Sequence, residues 1–252
     1  MNLADLAWPT IARLSRDIPI VIPVAALEQH GEHLPLFTDS LLLGEIIRRV
    51  APRFETTALF APLFWLGNSE HHLDFQGTLS AAPRVYLDLL NGFAENFLHH
   101  GFRRLVFVNG HGGNDVPGRQ AVFELRQRHR QRADVLFLFA TYWSLGARPA
   151  EAEATFAQRE MGHACEWETS MMLRLAPQLV LDFKKVAPVE FGTSFHPVAR
   201  GWITQDRTPR GHIGQPHLAS AEKGEKLFQL FADDVSALLE RVIRWDGKSW
   251  NG

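Results

Sequence analysis

The chain has 252 residues, 46% of them apolar and 21% charged, with a formal charge of −2. That balance suits a globular protein able to bury a sizeable core, and it offers no basic surface for nucleic acid or an anionic membrane. The single cysteine, Cys165, excludes an intrachain disulfide. No apolar run approaches the ~18 residues of a membrane span, and the N-terminus shows no basic-then-apolar leader. The expectation is a cytoplasmic enzyme or binding protein forming a single domain over 1–252, with neither nucleic acid nor membrane as partner.

Residues 1–17 read as a lead-in, and 18–26, rich in Ile and Val, as a buried strand. The polar connection from Glu28 to Asp39 (Glu-Gln-His-Gly-Glu-His-Leu-Pro-Leu-Phe-Thr-Asp) leads into a helix over 40–50, with Leu42, Leu43, Ile46, Ile47 and Val50 at helical spacing. A second strand is expected over 57–64, then a polar loop, 67–78, too long for a simple turn. A helix over 83–100 stops at Gly101. A third strand, 103–108, runs directly into Asn109-Gly-His-Gly-Gly-Asn114. A helix over 116–132 and a strand over 135–142 follow, then helices over 150–159 and 163–175. Residues 188–215 read as irregular and 219–244 as a long amphipathic helix. Strands alternating with helices indicate an α/β fold whose parallel sheet is covered on both faces. Such a sheet gathers its strand-to-helix loops at one edge, where ligands bind.

Three of these loops carry chemistry. Glu28 and His30 are two apart, so an extended segment points both side chains the same way. Carboxylate oxygen with imidazole nitrogen is a ligand set for Zn²⁺ and its neighbours. His111 sits between glycines just past a buried strand, where backbone can approach a ligand closely; the loop lacks the spacing and lysine of a phosphate loop. In the third segment, His163 and Glu166 are three apart and would share a helix face, with Glu168 about 200° round from Glu166. One glutamate is then a ligand and the other orients it. The plain alternatives are a solvated loop for the first segment, a helix-capping histidine for the second and an acidic first helical turn for the third. His71 and His72, in the long loop, are placed to line a pocket. His33 is expected to hydrogen-bond a ligand carboxylate. Cys165 reads as a small buried residue rather than a nucleophile.

Glu28-Gln-His-Gly-x-His-Leu-Pro with Asp39, Phe75-x-Gly77-Thr78, Asn109-Gly-His-Gly-Gly-Asn114, and His163 with Glu168-Thr-Ser together resemble the creatininase family over roughly 18–175. The resemblance implies a three-layer α/β/α sandwich with a mostly parallel sheet and a homo-oligomer, a hexamer in the family. It also implies two divalent metal ions, zinc or manganese with iron as an alternative. Carried over, Glu28, Asp39 and His111 resemble ligands of one ion, and His30 and Asp39 ligands of the other. Gly113 stands where creatininase itself has a glutamate, so Glu166 is assigned as the replacement ligand and Glu168 as its supporting group. His163 resembles the catalytic histidine, with Glu166 beside it. Trp143 resembles an aromatic pocket wall, and His72 and Asn114 are expected to bind substrate. The implied reaction is hydrolysis of an amide C–N bond other than a peptide bond in a small molecule, by hydroxide shared between the ions, with His163 as proton shuttle. The alternatives are the same site acting on a lactone, formamide or peptide, or a non-catalytic metal- or ligand-binding protein on the scaffold.

Overall fold

The computed structural model describes residues 1–146, 155–192, 195 and 197–250. Strands β1 (Pro19–Val24), β2 (Leu59–Phe60), β3 (Arg104–Asn109) and β4 (Leu136–Thr141) form a parallel sheet in the order β2-β1-β3-β4. The main helices are α1 (Trp8–Arg13), α2 (Thr38–Val50), α3 (Pro83–His99), α4 (Asp115–Arg128), α5 (Glu166–Leu175) and α6 (Ala221–Arg244). Alternation along the strands divides the core. Val21, Val106 and Val108 face Leu42, Ile46, Met171 and Phe231 of α2, α5 and α6. Ile20, Ile22 and Phe107 face Tyr86, Leu90 and Leu125 of α3 and α4. The outcome is the expected three-layer α/β/α sandwich. Among the described residues, no helix is long and apolar enough to cross a membrane.

Three elements differ from the sequence reading. The second strand keeps two residues instead of eight, because its ladder meets prolines. Pro23 presents its carbonyl to Phe64 on that side but has no N–H to give, and Pro62 interrupts the facing segment. Pairing resumes only as an isolated bridge between Val24 and Phe64. The helix predicted over 150–159 lies largely outside the described residues, and 156–159 are irregular. The helix predicted from residue 163 begins instead at Glu166. Ala164 adopts φ +47° and Cys165 is extended, so the chain turns sharply before the helix starts.

The connections place the site. From β1 the chain leaves through α2 toward β2; from β3 it leaves through α4 toward β4, on the opposite side. The loops after these two adjacent strands therefore diverge, opening a crevice at their carboxyl ends. Glu28 to Asp39 follow β1 and His111 follows β3, so both polar motifs flank that crevice.

Candidate metal centre

Glu28, Asp39 and Glu168 are 1%, 4% and 5% exposed, and His30 and His111 are equally buried. Three carboxylates sealed from water in one place require positive charge nearby. Asp39 extends one oxygen into each half of the cluster. Its Oδ1 lies 3.0 Å from His30 Nε2, which is 3.7 Å from Glu168 Oε1. Its Oδ2 lies 3.0 Å from His111 Nδ1, which is 3.3 Å from Glu28 Oε1. Ligand atoms held tetrahedrally at about 2.1 Å from a zinc ion sit about 3.4 Å apart, so these spacings suit a first coordination shell. The set Glu28, His30 and Asp39 converges within 4.8 Å, as does the set His30, His163 and Glu168. Glu28 Oε2 is buried with no hydrogen-bond partner, and Asp39 Oδ2 has none that is aligned. Buried carboxylate oxygens left without a donor, facing other ligand atoms, fit a cation at their centre.

Hydrogen bonds behind the cluster settle which ring nitrogen faces it. His111 Nε2 donates to the Asn68 carbonyl at 2.9 Å, and His30 Nδ1 to the Glu28 carbonyl at 3.1 Å. Each ring then turns its other nitrogen toward the carboxylates, where it holds a proton as long as no ion is bound and offers a lone pair to an ion once that proton leaves. Burial opposes charge on both rings, but Asp39 and Glu168 around His30, and Glu28 and Asp39 around His111, outweigh it. His30 is held well above the usual range and His111 rises to about 10. Burial also opposes ionisation of Asp39, yet His30 and His111 hold that carboxyl below its ordinary value.

His163 and His72 form a second layer, rings stacked 4.2 Å apart. His163 Nε2 donates to the Gln29 carbonyl at 2.7 Å, leaving Nδ1 as an acceptor 3.6 Å from Glu28 Oε1. Burial and then the charge on His30 push His163 down to about 3, so the ring is neutral. Gln29 Oε1 accepts from Gly31 N, which fixes its amide and directs Nε2 as a donor to His72 Nδ1 at 2.8 Å. His72 Nδ1 also lies 2.6 Å from Thr204 Oγ1, and its Nε2 faces Glu28 Oε1 at 3.4 Å. Burial, followed by the charge on His163, holds it far below the usual histidine range.

Glu166 and Glu168 lie differently from the sequence expectation. Glu166 pairs with Lys223 and accepts from Gln158 N at 2.9 Å, away from the cluster. Glu168, two residues on, reaches it. With Cys165 as N-cap, Glu168 is the third helical residue, and its Oε2 accepts from Cys165 N at 3.3 Å while Oε1 faces His30. The spacing Cys165-x-x-Glu168 is the signal that locates this helix start. His163 precedes the helix, paired with Ile213, so it shares no helical face with Glu166.

Two further expectations change. Asn114 is buried and spent on structure: it donates to the Ala25 carbonyl and to Asn109 Oδ1 and accepts from Asn68 N, leaving nothing for substrate. His33 contacts Thr169 Oγ1 at 2.9 Å rather than a ligand carboxylate. Burial, then His212, lowers it to about 4. Cys165 is buried, and burial pushes its thiol up to about 12, which suits packing rather than nucleophilic attack. Gly113 leaves no room for the side chain its counterpart carries in creatininase. A Cβ there would lie 2.1 Å from the Asn68 carbonyl that orients His111.

The cluster forms the floor of a cavity of about 650 Å³. Trp143 and His72, expected to contact substrate, are among its lining residues. His71, Met161, Phe191 and Trp202 line it too, and the last three carry no motif that would have marked them.

Comparison with known proteins agrees with this geometry. The family model for creatinine amidohydrolase matches residues 4–239. The mycofactocin precursor peptide peptidase of Mycobacterium ulcerans is 32% identical across 96% of this chain and 92% of its own. The creatinine amidohydrolase of Pseudomonas putida is 31% identical across 93% and 94%. A solved creatininase variant complexed with creatine superposes with a TM-score of 0.81 at 28% identity, covering 97% of this chain and 99% of that one. Creatininase structures are also known in a zinc–zinc form and with manganese. The expectation of a hydrolase confined to bonds other than peptide bonds is overturned by the peptidases among these relatives. The chain belongs to the creatinine amidohydrolase family and is a metal-dependent hydrolase built around a buried two-metal cluster.

Proposed function

We propose that this protein is a two-metal peptidase cleaving a short or precursor peptide. The observation that carries this reading is the set of curated relatives, 30–32% identical over 96% of the chain, that are named as peptidases. A cavity of about 650 Å³ with aromatic walls suits a peptide segment.

Glu28, Asp39 and His111 would hold one ion and His30, Asp39 and Glu168 the other, zinc or manganese by analogy with the solved relatives. When bound, the pair supplies Lewis-acid polarisation of the amide carbonyl and an acidified water. His163, neutral and with Nδ1 open, takes up a proton there and returns it to the departing amide nitrogen, which cannot leave as an anion. His72, packed on His163 with Nε2 3.4 Å from Glu28, helps to hold that side of the cluster in place. Trp143 and Trp202 confine the peptide and exclude water. The same reading includes a cytoplasmic homo-oligomer.

The test is a mass-spectrometric screen of metal-loaded protein against blocked short peptides, with creatinine and other cyclic amides alongside. Peptide cleavage that chelation abolishes and zinc or manganese restores is the expected result; turnover of creatinine with every peptide left intact overturns the reading. His163→Ala is expected to keep its metal and lose about 10²- to 10⁴-fold in kcat.

A further inference from the structure

The cavity is lined by groups of both charges. Its floor carries three carboxylates, while its lining also includes two guanidinium groups, half-buried Arg207 and exposed Arg200. Arg207 is held in place: it donates to the Phe191 carbonyl and lies over the Trp202 ring at 5.2 Å. Phe191 and Trp202 line the same cavity. Among the described residues, no carboxylate pairs with it. Arg49, also largely buried, shows the contrast, since Glu45 and Glu225 both grip it. Burial draws the Arg207 pKa down with no neighbouring anion to offset it. A guanidinium has five N–H donors, and among the described residues one of them is used. A partly desolvated cation without an anionic partner works against the fold, and it is accounted for if the anion arrives with the ligand.

We infer that Arg207 binds a carboxylate of the substrate, away from the amide that meets the metal cluster, with Arg200 adding positive charge nearby. The planar fork of a guanidinium matches a carboxylate with two parallel hydrogen bonds. The identity of the substrate as a peptide rests on the peptidase reading. Within a peptide, the carboxylate has two sources, the free C-terminus or an acidic side chain.

The inference is tested by calorimetric titration, which does not depend on turnover. The probes are a blocked tripeptide with a free C-terminus, its C-terminal amide, and that amide carrying either glutamate or glutamine. Wild type is expected to bind one carboxylate form about 10- to 100-fold more tightly than its neutral counterpart, the range of a charge-assisted hydrogen-bonded pair. The pair that shows the preference identifies the source. Arg207→Gln should bring that ratio to about one, and Arg207→Lys should keep part of it. Each ratio is taken within one variant, so a partly folded preparation does not mimic the effect. Equal binding of acids and neutral forms by wild type, no binding of any acid, or a preference that survives Arg207→Gln overturns the inference. Intact binding preference with no cleavage of any peptide defeats the peptidase reading alone.

Discussion

Asp39 is the residue on which both halves of the cluster depend, because its two oxygens face different histidines. Asp39→Ala should bring metal content, measured by inductively coupled plasma mass spectrometry, to background. Glu168→Gln should lower it from about two ions per chain to about one, since only the half around His30 loses a charged ligand. Glu166→Gln should leave metal content unchanged. It should instead cost about 3 kcal/mol in urea unfolding, because Lys223 loses its buried partner. Equal metal loss in the two glutamate variants would refute this division of roles. Gly113→Glu should not rescue Glu168→Gln, since its Cβ collides with the Asn68 carbonyl. The sequence made Glu28, His30, Asp39 and His111 visible because each follows a buried strand. Its choice of Glu166 followed the resemblance to the family; in the structure Glu166 faces Lys223, and Glu168, about 200° round the helix, faces His30.

At the scale of elements, the helices on one face are tied together by Glu225 of α6, which meets Arg49 of α2 at 2.7 Å and Arg174 of α5 at 2.7 Å. Gly224 beside it lets α6 approach α5 so closely that a Cβ would lie 2.0 Å from the Ser170 carbonyl. Arg49 first, then Arg174, holds the Glu225 carboxyl down at about 2. A carboxyl depressed on folding adds stability above its unfolded pKa of ~4.5 and loses it as pH falls through the folded value. Urea unfolding of wild type should therefore lose this contribution between about pH 4.5 and 2, and Glu225→Gln should lack that increment. Because Glu225 is 42% exposed, the increment should stay below about 1 kcal/mol. Identical slopes for the two proteins would remove the clamp. The strands and long helices were legible because apolar spacing survives in them. The short β2 was not, since two prolines on facing segments matter only once pairing is known. Nor was the turn at Ala164, where nothing in an alanine announces φ +47°.

For the whole molecule, the cluster sets the needs of folding against those of chemistry. Glu28, Asp39 and Glu168 are buried together where β1 and β3 diverge, and no lysine or arginine is paired with them among the described residues. Without cations the fold must carry that negative charge on histidine partners alone, so the metal-free protein is destabilised at its catalytic edge. Bound ions reverse this by linkage, since they bind the folded chain and hold together loops from distant parts of the sequence. Two opposite effects of Glu168→Gln follow. In the metal-free state the variant should melt above wild type, because one buried charge is gone; relief of 1–2 kcal/mol would raise Tm by roughly 2–8 °C for a chain of this size. With saturating zinc it should melt below wild type, because one ion has lost a ligand. Calorimetric scans of both proteins, with and without chelator, should thus cross. If chelation leaves wild type unchanged, or Glu168→Gln is less stable than wild type in both states, the three carboxylates are not a site whose folding cost is offset by metal.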